Sequence, residues 1–335
     1  MSELGPALRR AGGSLGRGLQ GAGRKVERLA ATPTGHRGRR PTLSVIIVTY
    51  DMPREAPRTI LSAGLPYQRG VAEGDYEVLV VDNGSTRRLP ESARADLPPG
   101  VRLLDAPDPQ PSPVFALNWA AREEARGDVL LFSIDGARIF SAGLYRDHLA
   151  AHALVHDAFV YSLSWHLGPK VQMVSTTEGY DEAAEDALLA EVGWPADPDA
   201  LFRASVFAGS STPGFFQPVN ESSAFSVRRS LWERMGGFDE RYTSPGGGLS
   251  NLELFRRYAM RPGARNVCLL AEGSSHQVHG GVATSGKAGW DDFDAEHEAI
   301  FGERFTLPTY DTLYYGRPRP ELERFWLESI GAALS

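Results

Sequence analysis

The sequence predicts an α/β fold in which helices flank a mostly parallel central sheet. Two observations support this prediction. Residues 43–49, 76–81 and 128–134 are short, largely apolar runs rich in β-branched or aliphatic side chains, as in strands buried on both faces. Predicted helices alternate with these strands along the chain, which is the pattern of parallel strands joined by helical crossovers.

The other elements follow in chain order. A helix is predicted over 54–65, directly after Pro53, and a third strand over 101–104. Ser112–Pro113 begins a helix that reaches about Arg126, because proline is favoured in the first helical turn, and Gly127 ends it. The second half is predicted to contain helices at 141–154, 181–192, 229–235, 249–260, 291–302 and 319–333, and strands at 158–164, 222–227 and 267–271.

Composition and charge limit the class of protein. The 335 residues include one cysteine, Cys268, so no disulfide can form within the chain. No apolar run approaches the roughly 20 residues needed to span a bilayer.

Residues 1–40 contain nine Arg or Lys and two Glu, which gives this segment a net charge of +7. Because the whole chain has a net charge of −7, the remaining residues have a net charge of −14. A basic arm at 1–40 predicts peripheral contact with the inner face of a membrane, in the cytoplasm, or alternatively a flexible Gly-rich tail. The acidic body disfavours nucleic acid as a ligand.

Polar residues follow three of the predicted strands where each strand ends. In open parallel sheets, ligands bind at the carboxyl ends of the strands. An aspartate there can accept hydrogen bonds from a base or a ribose hydroxyl, and a tyrosine can stack on a base. The alternative for Asn83–Gly84 is a tight turn. The candidate nucleotide-binding residues are Thr49, Tyr50 and Asp51 after the first strand, Asp82 after the second, and Asp135 with Gly136 after 128–134.

Asp135 is also the first candidate metal ligand. Its carboxylate could hold a divalent cation, Mn or Mg, that neutralises a diphosphate group. His276 and His279 follow the strand predicted at 267–271, and imidazole ligands suit Mn better than Mg. The alternatives are an Asx turn or helix cap at Asp135, and surface or core positions for the two histidines.

Residues 43–51 and 80–86 are strand ends with their polar loops, residues 118–135 are a helix and strand that lead to Asp135, and residues 225–229 with 236–240 form a further motif. In these motifs the chain resembles family-two glycosyltransferases of the A-type (GT-A) fold, and the resemblance extends over about 41–280. It implies a Rossmann-like nucleotide-sugar-binding half at 41–140 and an acceptor-side half at 141–318. A C-terminal helix at 319–335 would follow this domain. It also implies nucleoside contacts from Asp51 and Asp82, and it adds Asn118 to the residues expected to bind the nucleotide sugar.

Two departures from the family pattern concern the metal and the catalytic base. The Asp-x-Asp position reads Asp135-Gly136-Ala137, so the second carboxylate is missing. Asn251 occupies the position of the usual base, and an amide cannot accept a proton at neutral pH. The Asn251-x-Glu253 pattern is similar to a segment of retaining polypeptide N-acetylgalactosaminyltransferases, which predicts Glu253 and Asn251 as catalytic residues. Asp239 and Glu221 are the other candidates for acceptor activation, Glu253 could instead be a capping residue, and the stereochemical outcome stays open.

These observations predict transfer of a sugar from a nucleotide-diphosphate sugar, with UDP-sugars favoured, to a carbohydrate or lipid-linked acceptor in cell-envelope or exopolysaccharide synthesis. A non-catalytic protein that binds a nucleotide sugar or glycan is the main alternative. A nucleotidyltransferase is disfavoured, because that class has a Gly-rich, basic loop after its first strand. Trp165, Trp194 and Trp290 could line the acceptor site or belong to the core. Residues 280–289, with Lys287, could close over the diphosphate or form an ordinary surface loop.

Overall fold

The structure is a computed structural model that describes residues 42–280 and 290–335. The strands are β1 (Leu43–Thr49), β2 (Tyr76–Asp82), β3 (Val101–Asp105), β4 (Val129–Ser133), β5 (Arg138–Phe140), β6 (Ala158–Leu167), β7 (Ser205–Phe207), β8 (Phe225–Arg228), β9 (Arg265–His276) and β10 (Thr312–Tyr315). The α-helices are α1 (Glu55–Ala63), α2 (Glu91–Ala95), α3 (Val114–Trp119), α4 (Leu144–Leu154), α5 (Gln172–Ser175), α6 (Glu182–Glu191), α7 (Ala200–Arg203), α8 (Arg229–Met235), α9 (Ser250–Ala259), α10 (Trp290–Phe301) and α11 (Glu323–Leu334).

All of these strands belong to one sheet with the order β10-β9-β6-β8-β4-β1-β2-β3. β5 and β7 lie off this path and pair with β9 and β6. β1, β2, β3 and β4 run parallel, as do β6, β9 and β10, and β8 is antiparallel to both β4 and β6 between these groups. The predicted α/β class with a mostly parallel sheet is therefore confirmed.

β1 shows why helices must cover both faces of this sheet. None of its seven residues is more than 4% exposed. Val45 and Ile47 pack into one apolar cluster with side chains of α1 and α4. Ile46 and Val48 point to the other face and pack into a second cluster with side chains of α3, α8, α9 and α11. The predicted burial of this strand on both faces is confirmed.

Most predicted elements are present, with differences at their ends. The helix predicted over 112–126 is divided into α3 and a π-helical turn, Ala120–Glu124. The strand predicted from 222 begins at Phe225, and in the segment before it the Ser222 hydroxyl donates to the Ser162 carbonyl. The elements not predicted are α2, α5, α7, β5, β7 and β10, each of five residues or fewer.

β9 is longer than predicted, and its far end brings distant side chains together. Arg138 of β5 pairs with His276 of β9, and His166 of β6 pairs with the same residue. Residues directly opposite one another in adjacent strands point to the same face. These three basic side chains therefore form a row across β5, β9 and β6.

The arm predicted at 1–40 and the loop 281–289 with Lys287 lie outside the described residues. Within 42–280 and 290–335, every helix is too short or too polar to cross a membrane.

Candidate active site

The carboxyl ends of β1, β2 and β3 meet at one edge of the sheet. Thr49 lies opposite Asp82, and Asp82 lies opposite Asp105. Thr49, Asp82, Leu103, Arg94 and Asp105 are among the residues that line a small cavity at this edge. The structure thus brings Thr49 and Asp82 together, as their positions at strand ends predict.

Asp51 connects the loop after β1 to the loop after β2. Its carboxylate accepts hydrogen bonds from the backbone N–H groups of Thr86 (2.7 Å) and Arg87 (2.8 Å). The hydrogen bond from the Arg87 backbone is the largest influence that lowers the pKa of the Asp51 carboxyl. Asp51 adopts a left-handed backbone conformation, with φ 53°, which is uncommon for a residue other than glycine. The neighbouring Tyr50 side chain is 53% exposed and could stack on a planar ligand.

Asp135 is held against the end of β1 by the residue that follows it. A Cβ atom on Gly136 would lie 2.4 Å from Cγ2 of Thr49, so only glycine fits this close approach. The Gly136 carbonyl accepts a hydrogen bond from the Thr59 hydroxyl at 2.6 Å. One Asp135 oxygen, Oδ1, accepts from the Ala137 N–H at 2.8 Å, which is the Asx turn expected as the alternative. The other oxygen, Oδ2, faces the two histidines.

Asp135, His276 and His279 form a compact cluster. His276 Nε2 lies 2.8 Å from Asp135 Oδ2 and 3.1 Å from His279 Nε2, and His279 Nε2 lies 3.6 Å from Asp135 Oδ2. One ligand atom from each residue falls within 4.8 Å of the others. The three residues predicted as metal ligands are therefore close enough to bind one ion.

Burial and charge set the protonation of this cluster. Burial raises the pKa of the Asp135 carboxyl, but His279 and His276 outweigh burial and hold that pKa well below its usual range. Burial, together with the positive charge of Arg138, lowers the pKa of His276 to about 4. Burial also lowers the pKa of His279, but the charge of Asp135 outweighs it, and the net shift is upward. At neutral pH the cluster thus offers a carboxylate anion and an unprotonated His276.

Gln172 and Arg138 also contact this cluster, and neither is among the predicted site residues. The Gln172 side chain accepts a hydrogen bond from His276 Nδ1 and donates one to the His276 carbonyl at 2.9 Å. Because an amide oxygen only accepts, His276 carries its proton on Nδ1 and leaves Nε2 free to bind an ion. Arg138 could have been predicted to lie near Asp135, because it is only three residues further along the chain. No sequence signal connects Gln172 to a histidine 104 residues away.

Asn118 is fully buried, and its amide is used within the protein. The amide donates to the Phe238 carbonyl (2.9 Å) and to the Glu240 carboxylate (2.8 Å), and its oxygen accepts from the Phe238 N–H (3.0 Å). These bonds hold α3 to the turn at 237–240. The nucleotide-sugar contact predicted for Asn118 stays a prediction.

The candidate catalytic carboxylates differ in their partners. Glu253 accepts from the Arg257 guanidinium at 2.8 Å, and Arg257 also donates to the Met235 and Gly237 carbonyls. Asp239 is held by the Arg241 guanidinium at 2.6 Å. Glu221 instead accepts from the amide of Asn251 at 3.2 Å. A catalytic role for Glu253 or Asn251 stays a prediction.

The tryptophans proposed for the acceptor site have different environments. Trp165 is fully buried against Phe202 and Phe207, which is the core position expected as the alternative. Trp194 packs edge-on against Tyr67, and its indole N–H donates to the Tyr67 hydroxyl at 3.1 Å. The side chain of Trp290 lies outside the part of the chain that the structure describes.

Comparison with known proteins defines the class. Residues 44–135 match the family model described as glycosyl transferase family 2. No curated protein sequence matches the chain. The structure of S. aureus TarS 1–349 in complex with UDP-GlcNAc has a TM-score of 0.50 and 16% identity, over 77% of this chain and 65% of that one. The fold is therefore the A-type (GT-A) fold of nucleotide-diphospho-sugar transferases. Within that class, the chain is family-two-like.

Two further structures show weaker similarity. S. aureus TarS aligns with a TM-score of 0.45 and 16% identity, over 77% of this chain and 42% of that one. The mannosyltransferase PcManGT from Pyrobaculum calidifontis, in complex with GDP-Man and Mn2+, aligns with a TM-score of 0.41 and 17% identity, over 96% of this chain and 81% of that one. The chain thus spans less than two thirds of the TarS chains in two of these alignments.

Proposed function

We propose that this protein is a glycosyltransferase that moves a sugar from a nucleotide-diphosphate sugar to a hydroxyl acceptor. The observation that carries the proposal is the cluster of Asp135, His276 and His279 beside the polar edge of β1 and β2, on a GT-A fold. The family match supports it, because residues 44–135 include that edge and end at Asp135. Ligands of open α/β sheets bind at such an edge.

The donor nucleoside would bind at the end of β1 and β2. Thr49 and Asp82 line the cavity there, Asp51 fixes the loop geometry, and the exposed Tyr50 could cover the base. A UDP-sugar is the favoured donor, and the TarS structure that shares the fold was solved with UDP-GlcNAc. Gly136 would keep Asp135 at the end of β1 beside the diphosphate, since any side chain there would meet Thr49.

The cluster fits a divalent cation. Asp135 supplies a carboxylate oxygen, and two imidazoles replace the carboxylate that Ala137 lacks, a donor set that suits Mn better than Mg. Gln172 fixes the His276 tautomer with Nε2 toward Asp135. A bound cation would neutralise the diphosphate as the bond to the sugar breaks. Asp135 and Gly136 would then orient the donor against that edge.

The acceptor and the pathway form the finer part of the proposal. A carbohydrate or lipid-linked acceptor in cell-envelope or exopolysaccharide synthesis is consistent with the family resemblance. Membrane contact through residues 1–40 belongs to the same proposal, and that segment lies outside the described residues.

The test is calorimetric binding of uridine, guanosine and thymidine diphosphate sugars, each with and without Mn2+. We expect one nucleotide class to bind in a Mn2+-dependent way, and Asp135→Ala to weaken Mn2+-dependent binding by at least about 100-fold, since a direct ligand contributes more than the second-shell residues that cost 10–100-fold. Asp311→Ala is the matched control, because Asp311 is exposed just before β10. Equal affinity of wild type and Asp135→Ala would contradict the site.

The second candidate function is a non-catalytic binding protein of the same fold. The observation that favours it is Asn251 at the base position, together with Ala137 at the second metal position. Mn2+-dependent donor binding without release of nucleoside diphosphate, with water and with a panel of sugar acceptors, would support this function over transfer.

A further inference from the structure

The position of the usual catalytic base carries an amide, and that amide is aimed at a carboxylate. Asn251 is the second residue of α9 and is 5% exposed. Its Nδ2 donates to Glu221 Oε2 at 3.2 Å. Glu253 and Asp239 are both held by guanidinium groups, those of Arg257 and Arg241. Of the three candidate carboxylates, Glu221 is the one whose described hydrogen bond comes from a neutral group.

Sheet pairing brings Glu221 to the same end of the sheet as Asp135. β4 and β8 are antiparallel, and Phe132 lies opposite Phe225. The chain leaves Phe132 toward Asp135, three residues later, and it approaches Phe225 from Glu221, four residues earlier. Both carboxylates therefore lie beyond the same end of this strand pair. The hydrogen bond from Ser222 to the Ser162 carbonyl, at 2.8 Å, fixes the segment that carries Glu221.

Arg138 is a buried cation on which the charges of both Asp135 and Glu221 act. Its side chain is 11% exposed, and Nε lies 3.7 Å from Asp135 Oδ2. Burial lowers the pKa of this guanidinium, while the negative charges of Asp135 and Glu221 act in the opposite direction. Within the described residues, Nε and Nη1 of Arg138 have no hydrogen-bond partner. The charges of both carboxylates therefore act on one buried guanidinium.

We propose that Glu221 is the catalytic base of this protein and that Asn251 orients it. The Asn251 amide, at the start of α9, donates its hydrogen bond to this carboxylate on the facing loop. The inference rests on the proposed sugar transfer and names the residue that activates the acceptor.

The step is a single displacement. The acceptor hydroxyl gives its proton to the Glu221 carboxylate, and its oxygen forms a bond to the anomeric carbon of the donor sugar. The bond from that carbon to the diphosphate oxygen breaks, and its electron pair stays on the departing nucleoside diphosphate. The products are the glycoside, the nucleoside diphosphate and a protonated Glu221. Attack from the side opposite to the leaving group inverts the anomeric configuration.

The experiment uses the full chain with Mn2+ and UDP-GlcNAc, UDP-glucose or UDP-galactose, with water as the acceptor. Released UDP gives the hydrolysis rate, calorimetry gives donor affinity, and NMR gives the anomer first formed. We expect Glu221→Gln to lower the rate by at least about 100-fold, the usual contribution of a general base, and to change donor affinity by less than about twofold. The matched control is Glu233→Gln, because Glu233 is an exposed glutamate of α8.

The swapped variant Glu221→Gln with Asn251→Asp separates catalysis from structure. It keeps one carboxylate and one amide in contact but returns the carboxylate to position 251. We expect the hydrolysis rate of this double variant to be at least about tenfold higher than that of Glu221→Gln, a gain that repair of folding alone would not give. The sugar released by wild type should have the inverted configuration.

Three results would overturn the inference. They are a wild-type rate in Glu221→Gln, retention of the anomeric configuration, and loss of activity confined to Glu253→Gln. In each case the wild type still consumes the donor, so the proposed function survives. Absence of donor turnover by the wild type with water and with sugar acceptors would instead overturn the proposed function, and this inference with it.

Discussion

Ser226 lies between two buried histidines of α4. Its hydroxyl is 2.7 Å from His148 Nδ1 and 2.9 Å from His152 Nε2. Burial lowers the pKa of His148 well below its usual value. Burial, with a further contribution from the charge of Arg228, lowers the pKa of His152 to about 3. Both imidazoles are therefore neutral in the folded protein, and a serine hydroxyl can serve one as donor and the other as acceptor.

This pair makes stability depend on pH. The folded-state pKa values lie below the unfolded value of about 6.5, so at lower pH the unfolded chain binds protons that the folded chain cannot. The stability that goes with keeping both imidazoles neutral is fully present above about pH 6.5. Below that pH, each histidine lowers the free energy of unfolding by about 1.4 kcal/mol per pH unit. His152→Gln should remove the part of this pH dependence that comes from His152. The measurement is the free energy of unfolding in urea at several pH values between 7.5 and 5. His156→Gln, with a side chain 85% exposed, is the control. An unchanged slope in His152→Gln would contradict the argument.

Part of the candidate site could be predicted from the positions of individual residues in the sequence. Asp135, His276 and His279 each follow an apolar strand, and strand ends meet at a sheet edge, so a shared site was a reasonable expectation. The contact of Gln172 with His276 could not be predicted, because no local pattern encodes a pairing between a short helix and a distant strand. Glu221 was one of the candidate carboxylates in the sequence, but its hydrogen bond with Asn251, 30 residues away, could not be predicted for the same reason.

The helix after β3 shows how one side chain can end an element. The sequence predicted a regular helix to about Arg126. Instead the last turn is π-helical, and the Arg229 guanidinium donates to the carbonyls of Ala121 (2.8 Å), Ala125 (2.8 Å) and Gly127 (3.0 Å). The last carbonyls of a helix lack partners within the helix, and Arg229 supplies donors to two of them and to the chain that leaves.

Arg229→Lys should therefore destabilise the fold. Lysine cannot reproduce the planar fork of donors, so two of the three carbonyls lose their partner, at about 1–3 kcal/mol in total. The measurement is the free energy of unfolding in urea. Arg234→Lys is the matched control, because Arg234 makes an exposed ion pair with Asp157. A loss below about 0.5 kcal/mol in Arg229→Lys would show that these hydrogen bonds contribute little.

Elements could be predicted where their periodicity extended over enough residues. The strand at 43–49 and the helix at 229–235 have the predicted ends. β5 and β7 have three residues each, too few for a pattern, and they pair with the last residues of β9 and β6. β10 is a partly exposed edge strand of four residues, too short for a periodic pattern to predict it.

At the scale of the whole molecule, the class could be predicted and the strand order could not. The alternation of strands and helices fixes a sheet covered on both faces. The placement of β8 between β4 and β6 depends on pairings between strands far apart in the sequence. That placement brings the loop with Glu221 to the same end of the sheet as Asp135.

α6 is attached to the segment before His279 through Arg54. Its guanidinium donates to Asp186 (2.6 Å) and Glu185 (3.1 Å) of α6, and to the carbonyls of Glu182 (2.9 Å) and Val278 (3.1 Å). Glu185, which is fully buried, also accepts from the Val278 N–H at 2.8 Å. One cation thus links α6 to the residue that precedes His279.

Arg54→Ala should loosen this attachment without unfolding the sheet. It would leave the Glu185 carboxylate buried without its closest cation, and breaking a buried ion pair costs about 3–5 kcal/mol, so local opening of α6 becomes the cheaper response. We expect amide hydrogen exchange to accelerate at least about tenfold over 182–191 and 276–280, with β1 and β2 unchanged. Mn2+ affinity should fall as well, because Val278 no longer positions His279.

Arg122→Ala, which removes an exposed ion pair with Glu240, is the control. Acceleration spread evenly over the sheet would mean that Arg54 supports the whole fold, and no acceleration would mean that α6 is held by its other contacts.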